Sequence, residues 1–553
     1  MIHAYVGSSS GSVGRIAALE SCVPRTVTAE RRDPRGTHAL LWVTHPSHET
    51  SAGGSLGASP LPFARMELTP GPAALTVTRG GFGGRPIYVR AWHDGALAST
   101  DLGWMVRASR ALDLPVTLDA DALAARSVHL PVHDERSLYR EISEVPPGTR
   151  AGVVPGGLSF SRLQPGRTGS AHAEPAELHA LLSRAVGTCL DHGAPVGVLT
   201  GGGLDSSALL VMARALGADA NALAIDFGGE QGDRPYLSLL ADALALSPCR
   251  VAPGEEAFAL GAEVAGLPLL WPSGALEATL LQRASMRGAK VALSGAFADA
   301  CFDGDPEAAS RVLGRDGLLR AVAFARAYDG GSLRAGARRA IWPHVRGRVP
   351  SRVMRLLRAV ARRAGGPSTR VFDGPRRRRA REDAWERSRG ERAPIEHAPE
   401  LRVAQAFFSR ELGLLAELRA QEEALSGVER RDPYLHVDLV TFALSLSPEV
   451  LLGQGPRGGE RRGMFREALR GVLPEAIRTR PDKASFAPLH AELLRSRARD
   501  ARAMRFTALA DLGIVDANAA RSSIEATEHG EGGHHGELLS LLALETWLLG
   551  AAT

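Results

Sequence analysis

The sequence predicts an α/β protein in two parts, a first domain rich in antiparallel sheet and a second built on a doubly wound parallel sheet with additional helices. Three observations lead there. A chain of 553 residues with 44% hydrophobic content is too long for one ordinary domain and apolar enough for more than one core. Up to about residue 165, short apolar runs alternate with turn residues, as in antiparallel sheet. From Glu174 onward, apolar strand-like runs and amphipathic helices take turns, the rhythm of a parallel sheet wrapped by helices. The division falls near residue 170, giving domains 1–170 and 171–553.

In the first part, Ala39–Val43, Ala74–Val77, Pro86–Trp92 and Gly152–Val154 read as strands, with helices at Leu102–Leu112 and Ala120–Ala125. The second part opens with the helix Glu174–Leu190 and the strand Val196–Leu199. A helix over Ala208–Leu216, a strand over Ala222–Phe227 and a helix over Tyr236–Leu246 follow. The short strand Arg250–Val251, the helix Leu276–Arg287 and the strand Val291–Leu293 complete the alternation. From Asp305 to about Leu425 the chain is helical and very rich in arginine, and Val437–Leu548 returns to amphipathic helices. Arg376–Arg379, four arginines in a Gly/Pro-bounded stretch, read either as a solvated or disordered loop or as a docking surface for an acidic partner or peptide. His529, His534 and His535 lie in a glycine-rich loop with no companion cysteines or carboxylate spacing, so metal binding is the weaker reading there.

Composition narrows the function classes. A net charge of +5 and no strand-reading motif give little support for nucleic-acid binding. Cys22, Cys189, Cys249 and Cys301 lie far apart, without metal-ligand spacing or disulfide density, which suits a reducing cytoplasm. No signal segment is visible, and no run of about 18 apolar residues is present to span a bilayer. Of the 66 basic residues only Lys290 and Lys483 are lysine. A lysine surviving among so many arginines is either a chance survivor or a compact point charge that a guanidinium cannot replace.

The most informative stretch is Val196–Ser207, Val-Gly-Val-Leu-Thr-Gly-Gly-Gly-Leu-Asp-Ser-Ser. An apolar strand ends in three glycines, then an acid, two hydroxyls and a helix, which makes a phosphate cradle: glycine backbone can approach an anion closely, and the helix N-terminus adds unpaired donors. Ser206 and Ser207 can donate hydroxyl protons, and Asp205 is placed to hold the metal that accompanies a polyphosphate. The spacing is neither the dinucleotide fingerprint nor the Walker loop, whose lysine is missing. An ordinary glycine-rich strand-to-helix turn is the plain alternative.

The loop resembles the Ser-Gly-Gly-x-Asp-Ser pyrophosphate loop of enzymes that split ATP into AMP and pyrophosphate, with Gly201 in place of the first serine and Thr200 one residue earlier as a substitute hydroxyl. Three further regions follow it: Leu293–Phe302, Arg431–Val440, and the pair Phe465–Arg470 with Arg480–Phe486. In this order they resemble the synthetase domain of the asparagine synthetase family, over nearly the whole chain. The resemblance implies an N-terminal Ntn-hydrolase-like α/β/β/α sandwich and a C-terminal ATP-pyrophosphatase-type (adenine nucleotide alpha-hydrolase-like) sheet. It implies that a substrate carboxylate attacks the α-phosphate of ATP, and that an amine then displaces AMP. Carried over, Gly201, Gly202, Gly203, Leu204, Asp205, Ser206 and Ser207 would hold pyrophosphate. Leu199, Ile225, Ser294 and Gly295 would line the nucleotide pocket, and Asp205 and Asp299 would bind Mg2+. Lys483 and Asp299 would be catalytic, the lysine by stabilising the crowded phosphate.

The departures sharpen the expectation. Family members that hydrolyse glutamine begin Met-Cys, and here position 2 is Ile2, so the amine must come from elsewhere. Two relatives share that loss, the β-lactam synthetases and the lasso-peptide cyclases. Gly232-Asp233-Arg234-Pro235-Tyr236 and Asp482-Lys483-Ala484-Ser485-Phe486 look more like the cyclases, and β-lactam synthetases carry a tyrosine where this chain has Ala296. At Ala296 and Ala300 the family's polar residues are missing, leaving Asp299; Asp303 and Asp305 are either compensating acids or ordinary loop acids. The resulting expectation is macrolactam closure of a lasso precursor, with the core peptide, a leader peptidase and a leader-recognition protein as partners and no nucleic acid. A small-molecule amide or β-lactam synthetase, or a degenerate nucleotide-binding scaffold without turnover, is the alternative.

Overall fold

The computed structural model describes residues 2–8, 27–32, 37–43, 64–68, 75–131, 135–165, 174–191, 193–226, 233–264, 266–302, 312–313, 317–329, 341, 371–390, 399–447, 450–451, 462–480, 486–528 and 533–551. Two antiparallel sheets come first. The larger contains β1 (Ile2–Ser8), β2 (Val27–Arg32), β3 (Thr37–Val43), β6 (Tyr88–Trp92), β7 (Gly95–Ser99) and β8 (Ser143–Glu144), in the order β2-β3-β1-β7-β6-β8. The smaller contains β4 (Ala64–Leu68), β5 (Leu75–Arg79), β9 (Thr149–Val154) and β10 (Gly157–Arg162), in the order β10-β9-β5-β4. Alternation along β7 sets the layering. Ala96 and Ala98 turn into a core shared with Leu75, Val77, Ala151 and Val153 of the smaller sheet. Leu97 between them faces the other way, into a core with α1 (Leu102–Ala111) and α2 (Ala120–Arg126), as the two-residue period requires. Both helices start where an aspartate caps them, Asp101 accepting from the Trp104 N–H and Asp119 from those of Asp121 and Ala122.

The second part is a five-stranded sheet in which every neighbouring pair is parallel. Its strands are β11 (Val196–Leu199), β12 (Ala220–Ile225), β13 (Cys249–Val251), β16 (Val291–Ser294) and β17 (Glu429–Arg431), in the order β13-β12-β11-β16-β17. A small hairpin, β14 (Glu263–Val264) and β15 (Leu267–Pro268), stands apart. Val196 and Val198 pack with α3 (Pro175–Cys189), α4 (Leu204–Ala215) and α5 (Arg234–Leu244) on one face. Leu199 and Leu223 pack with α6 (Gly274–Ser285) on the other. Apolar residues at every position of β11 thus serve two covered faces, the pattern of a buried parallel strand.

Helices fill most of the rest: α7 (Ala298–Phe302), α8 (Leu318–Asp329), α9 (Pro375–Gly390), α10 (Pro399–Phe407), α11 (Arg410–Ser426), α12 (Val437–Ser445), α13 (Gly463–Ala468), α14 (Ala487–Ser496) and α15 (His535–Ala551), together with others between Glu475 and Glu528. Three local expectations change. The helix after the glycines begins at Leu204, four residues before Ala208, so Leu204–Ser207 form its first turn. Glu429–Arg431 is an unexpected strand, paired with β16 from the sheet edge. The arginine run is not a loop. Arg376–Arg379 lie in α9, and Arg377 is fully buried, held by Asp373 at 2.8 Å and Glu537 at 3.0 Å. Asp373, buried, and Glu537, half-buried, call for a cation there; Arg376 is half-buried and pairs with Asp121, and Arg378 and Arg379 are exposed.

The core that contains Trp104 and Leu123 from the first part continues through Leu280, Leu538 and Trp547 of the second, so α1 and α2 are packed from both sides. Among the described residues, no helix is long and apolar enough to cross a membrane.

Candidate active site

Strand order reverses between β11 and β16, and at such a switch point the C-terminal ends of the strands leave a crevice. The three-glycine loop leaves β11 into that crevice, and Ser294-Gly295 leaves β16 into it. Gly201, Gly202 and Gly295 each answer to a close neighbour, whereas a Cβ at Gly203 would meet only Ser206 Oγ at 3.8 Å. Gly202 adopts φ +93° with the Tyr236–Leu237 backbone against it, and a Cβ at Gly201 would overlap the Asp233 carboxylate. A Cβ at Gly295 would stand 3.1 Å from the Ser206 nitrogen, so glycine there lets the second loop rest on the start of α4. Thr200 is buried; its hydroxyl accepts the Gly202 N–H at 3.1 Å and lies 2.8 Å from Ser206 Oγ. It braces the loop from within. Ser206 is half-buried at the mouth, whereas Ser207 is fully buried and its Oγ has no hydrogen-bond partner. Leu199 and Ile225 are half-buried at the ends of β11 and β12. The first turn of α4 presents its N–H groups and positive dipole end to the crevice.

Asp205 and Asp299, 94 positions apart in sequence, converge on one guanidinium. Arg462 Nη1 donates to Asp205 Oδ1 at 2.5 Å, and its Nη2 pairs with Asp299 Oδ1. The Arg462 side chain is 9% exposed. Three aromatic rings seat this arrangement: Phe302 stacks on Phe465 at 4.7 Å, and Tyr434 meets both edge-on at 6.1 and 6.0 Å. The Tyr434 hydroxyl donates to the Asp205 carbonyl at 2.9 Å. One ring comes from each of the three motif regions downstream of the glycine loop, so packing gathers them beneath the two acids.

Behind Ser294 lies a buried ion cluster. Arg430 donates to Ser294 Oγ at 3.0 Å, to Glu277 at 3.0 Å and to Glu422 at 2.9 Å. Burial pushes the Glu422 carboxyl up to about 8, against the opposing pull of Arg430. The two acids in turn hold the Arg430 guanidinium charged, raising it despite burial. Beside it, Arg419 pairs with Asp432 at 2.7 Å and stacks 4.9 Å from the Phe297 ring.

Below the glycine loop, Asp233 accepts from Arg480 Nη1 at 2.7 Å, and the same guanidinium lies 4.0 Å from the Tyr236 ring. The Asp-Arg-Pro-Tyr stretch therefore touches the residue that leads into Pro481-Asp482-Lys483. Lys483 itself lies outside the described residues, as do Asp303, Asp305 and His529. Lys290 is exposed, and its carbonyl accepts from the Glu429 N–H at 2.8 Å. Cys189, Cys249 and Cys301 are buried thiols. His534 is at 6.3 Å, edge-on, from Phe372.

Sequence reasoning passed over Arg462, Glu277, Glu422 and the Asp233–Arg480 contact. Arg462 has no local signal, being one cation among 66. Two acids drawn to one cation fit Mg2+, which is commonly held by one or two carboxylates plus substrate phosphates and water. Among the described residues, no group of three His, Cys, Asp or Glu forms an all-protein metal cage.

The family described as asparagine synthase matches residues 177–549. No curated protein matches the chain.

Proposed function

Because the chain belongs to the asparagine synthase family, we propose that it uses ATP and Mg2+ to activate a peptide carboxylate and joins it to an amine of the same peptide, closing a lasso-type macrolactam. A carboxylate oxygen attacks the α-phosphorus and pyrophosphate departs. The amine nitrogen then attacks the acyl carbon, losing a proton as AMP leaves. Mg2+ supplies charge neutralisation for the departing pyrophosphate.

The chain's own residues take these parts. Backbone N–H groups of Gly201–Gly203 and the α4 first turn, Leu204–Ser207, cradle the pyrophosphate. Leu199 and Ile225 flank the nucleotide, and Ser294 with Gly295 closes the pocket, Ser294 being held in place by Arg430. Asp205 and Asp299 hold the metal. Lys483 places a compact charge on the phosphate under attack. In this reading residues 1–170 form a glutaminase-like domain without its nucleophile, since β1 opens on Ile2, and residues 171–553 form the ATP-using domain. The partners are the core peptide, a leader peptidase and a leader-recognition protein.

The observation that carries the lasso reading over the β-lactam one is the Asp233–Arg480–Tyr236 contact. It sets the Asp233–Tyr236 stretch against Arg480, two residues ahead of the other stretch most like the cyclases, and Ala296 stands where the other class has a tyrosine. The test is incubation with leader-free cognate peptide, ATP and Mg2+. The expected result is a product lighter by one water, with release of pyrophosphate. Lys483→Arg should slow both by on the order of 10²–10³, and Lys290→Arg should slow neither. Pyrophosphate release with a small carboxylate but no peptide ring would favour small-molecule synthesis. Ammonia released from glutamine would overturn the choice of amine, and no turnover at all would leave a nucleotide-binding scaffold.

A further inference from the structure

We propose that Arg462 is a built-in counter-cation that keeps divalent metal off Asp205 and Asp299 until a polyphosphate arrives. The identity of that anion rests on the ATP-using reading above; the competition with metal does not. Arg462 reaches both carboxylates with one planar group, Nη1 on Asp205 at 2.5 Å and Nη2 on Asp299. Guanidinium is suited to spanning two acceptors at once, where an ammonium is a single point charge. The side chain is only 9% exposed, and the backbone at Arg462 sits at φ +60°, a conformation an arginine adopts when its surroundings impose it.

Charge balance supplies the exclusion. Two carboxylates and one guanidinium leave a single negative charge. A divalent ion added beside Arg462 would leave a net positive charge next to the buried guanidinium, at a site open to solvent on the Asp299 side, with no anion to answer it. The same ion without Arg462 would be neutralised. Metal and guanidinium therefore compete for the two acids whenever the glycine loop has no anion on it. A polyphosphate on that loop offers the guanidinium new oxygen acceptors, and only then can Arg462 give up the carboxylates at little cost. Metal entry is thereby tied to nucleotide arrival.

The movement needed is confined to one side chain. Phe465, three residues on, is stacked on Phe302 at 4.7 Å and meets Tyr434 at 6.0 Å, and Tyr434 holds the Asp205 carbonyl at 2.9 Å. The same packed rings thus anchor the start of α13 and the backbone of both acids, so the acids stay in place when the guanidinium swings away.

The test is a titration of nucleotide-free full-length protein with Mn2+, reading free ion by electron paramagnetic resonance. Arg462→Met, similar in length and uncharged, should bind Mn2+ at least tenfold more tightly than the unaltered protein. Adding Asp299→Asn to that variant should abolish the gain. Arg462→Lys, which keeps one charge but cannot span both acids, should fall between. The thermal midpoint of Arg462→Met should rise on Mn2+ addition by more than that of the unaltered protein, because the ion binds the folded state alone. Equal Mn2+ affinity in the unaltered protein and both variants would overturn the proposal, as would a gain that survives Asp299→Asn. Should Arg462→Met not fold, the Lys variant decides in the same way. No nucleotide or peptide is present, so the titration answers whether or not the ring-closing reading holds; that reading stands or falls on product formation.

Discussion

Gly201 occupies the place of a serine in the loop it resembles, and the fold supplies the reason. A Cβ there would run into Asp233, whose carboxylate is committed to Arg480 at 2.7 Å. The missing hydroxyl is not replaced by Thr200, which turns inward to the Gly202 N–H and Ser206. Gly201→Ser should therefore overpack the loop at a cost of about 1–3 kcal/mol and displace Arg480. In an Asp233→Ala background the same serine should be tolerated, giving a coupling energy of about 0.5–3 kcal/mol in a double-mutant cycle read by denaturant unfolding. Additive effects of the two changes would mean that the glycine answers to something other than Asp233. Lys290 shows the reverse case: rare in composition, it has an exposed side chain, and its contact with Glu429 is made by the backbone carbonyl.

At the scale of elements, the aromatic seat explains how segments far apart in sequence arrive at one place. Phe302 ends α7, Tyr434 lies in the turn after β17, and Phe465 lies in α13; all three are buried. Phe302→Ala should cost about 3–5 kcal/mol, as for other buried aromatic truncations. Tyr434→Phe, which loses one hydrogen bond and keeps the ring, should cost only about 1 kcal/mol. Urea unfolding midpoints separate the two, and a Phe302→Ala change as mild as Tyr434→Phe would show that the rings do not seat α7. The strand β17 follows the same logic. Glu-Arg-Arg has little strand preference, yet Arg430 becomes part of the sheet because Glu277 and Glu422 neutralise it from two helices.

Over the whole molecule, α11 ties the antiparallel sheets to the parallel one. Arg126 of α2 donates to both oxygens of Glu417, and Tyr88 of β6 donates to the same carboxylate at 3.1 Å. From the same helix, Gln421 donates to the Leu267 and Pro268 carbonyls at 3.2 Å, and Glu422 holds Arg430. Arg126 and Glu417 are both buried, so Glu417→Ala would leave Arg126, among the described residues, with Glu144 at 3.6 Å as its ion-pair partner. Removing one partner of a buried pair costs about 3–5 kcal/mol. Calorimetry should show one transition at a lower temperature. Two separate transitions in the unaltered protein would mean that the shared core does not couple the two parts.

What the sequence determined by itself was local. The alternation of apolar strands and amphipathic helices from Glu174 to Leu293 was legible, and so was the glycine loop after Val196–Leu199, because side-chain period and glycine geometry are written within a few neighbouring residues. The structure has those elements with ends shifted by a few residues. Only the tertiary structure decided which charges meet. Arg377 is buried on Glu537, Arg430 joins a sheet on Glu277, and Arg462 lies 257 positions from the Asp205 it holds. Attraction between charges has no sequence period and reaches whatever the fold brings close, so a chain with 66 cations and 61 anions leaves the choice of partner to packing.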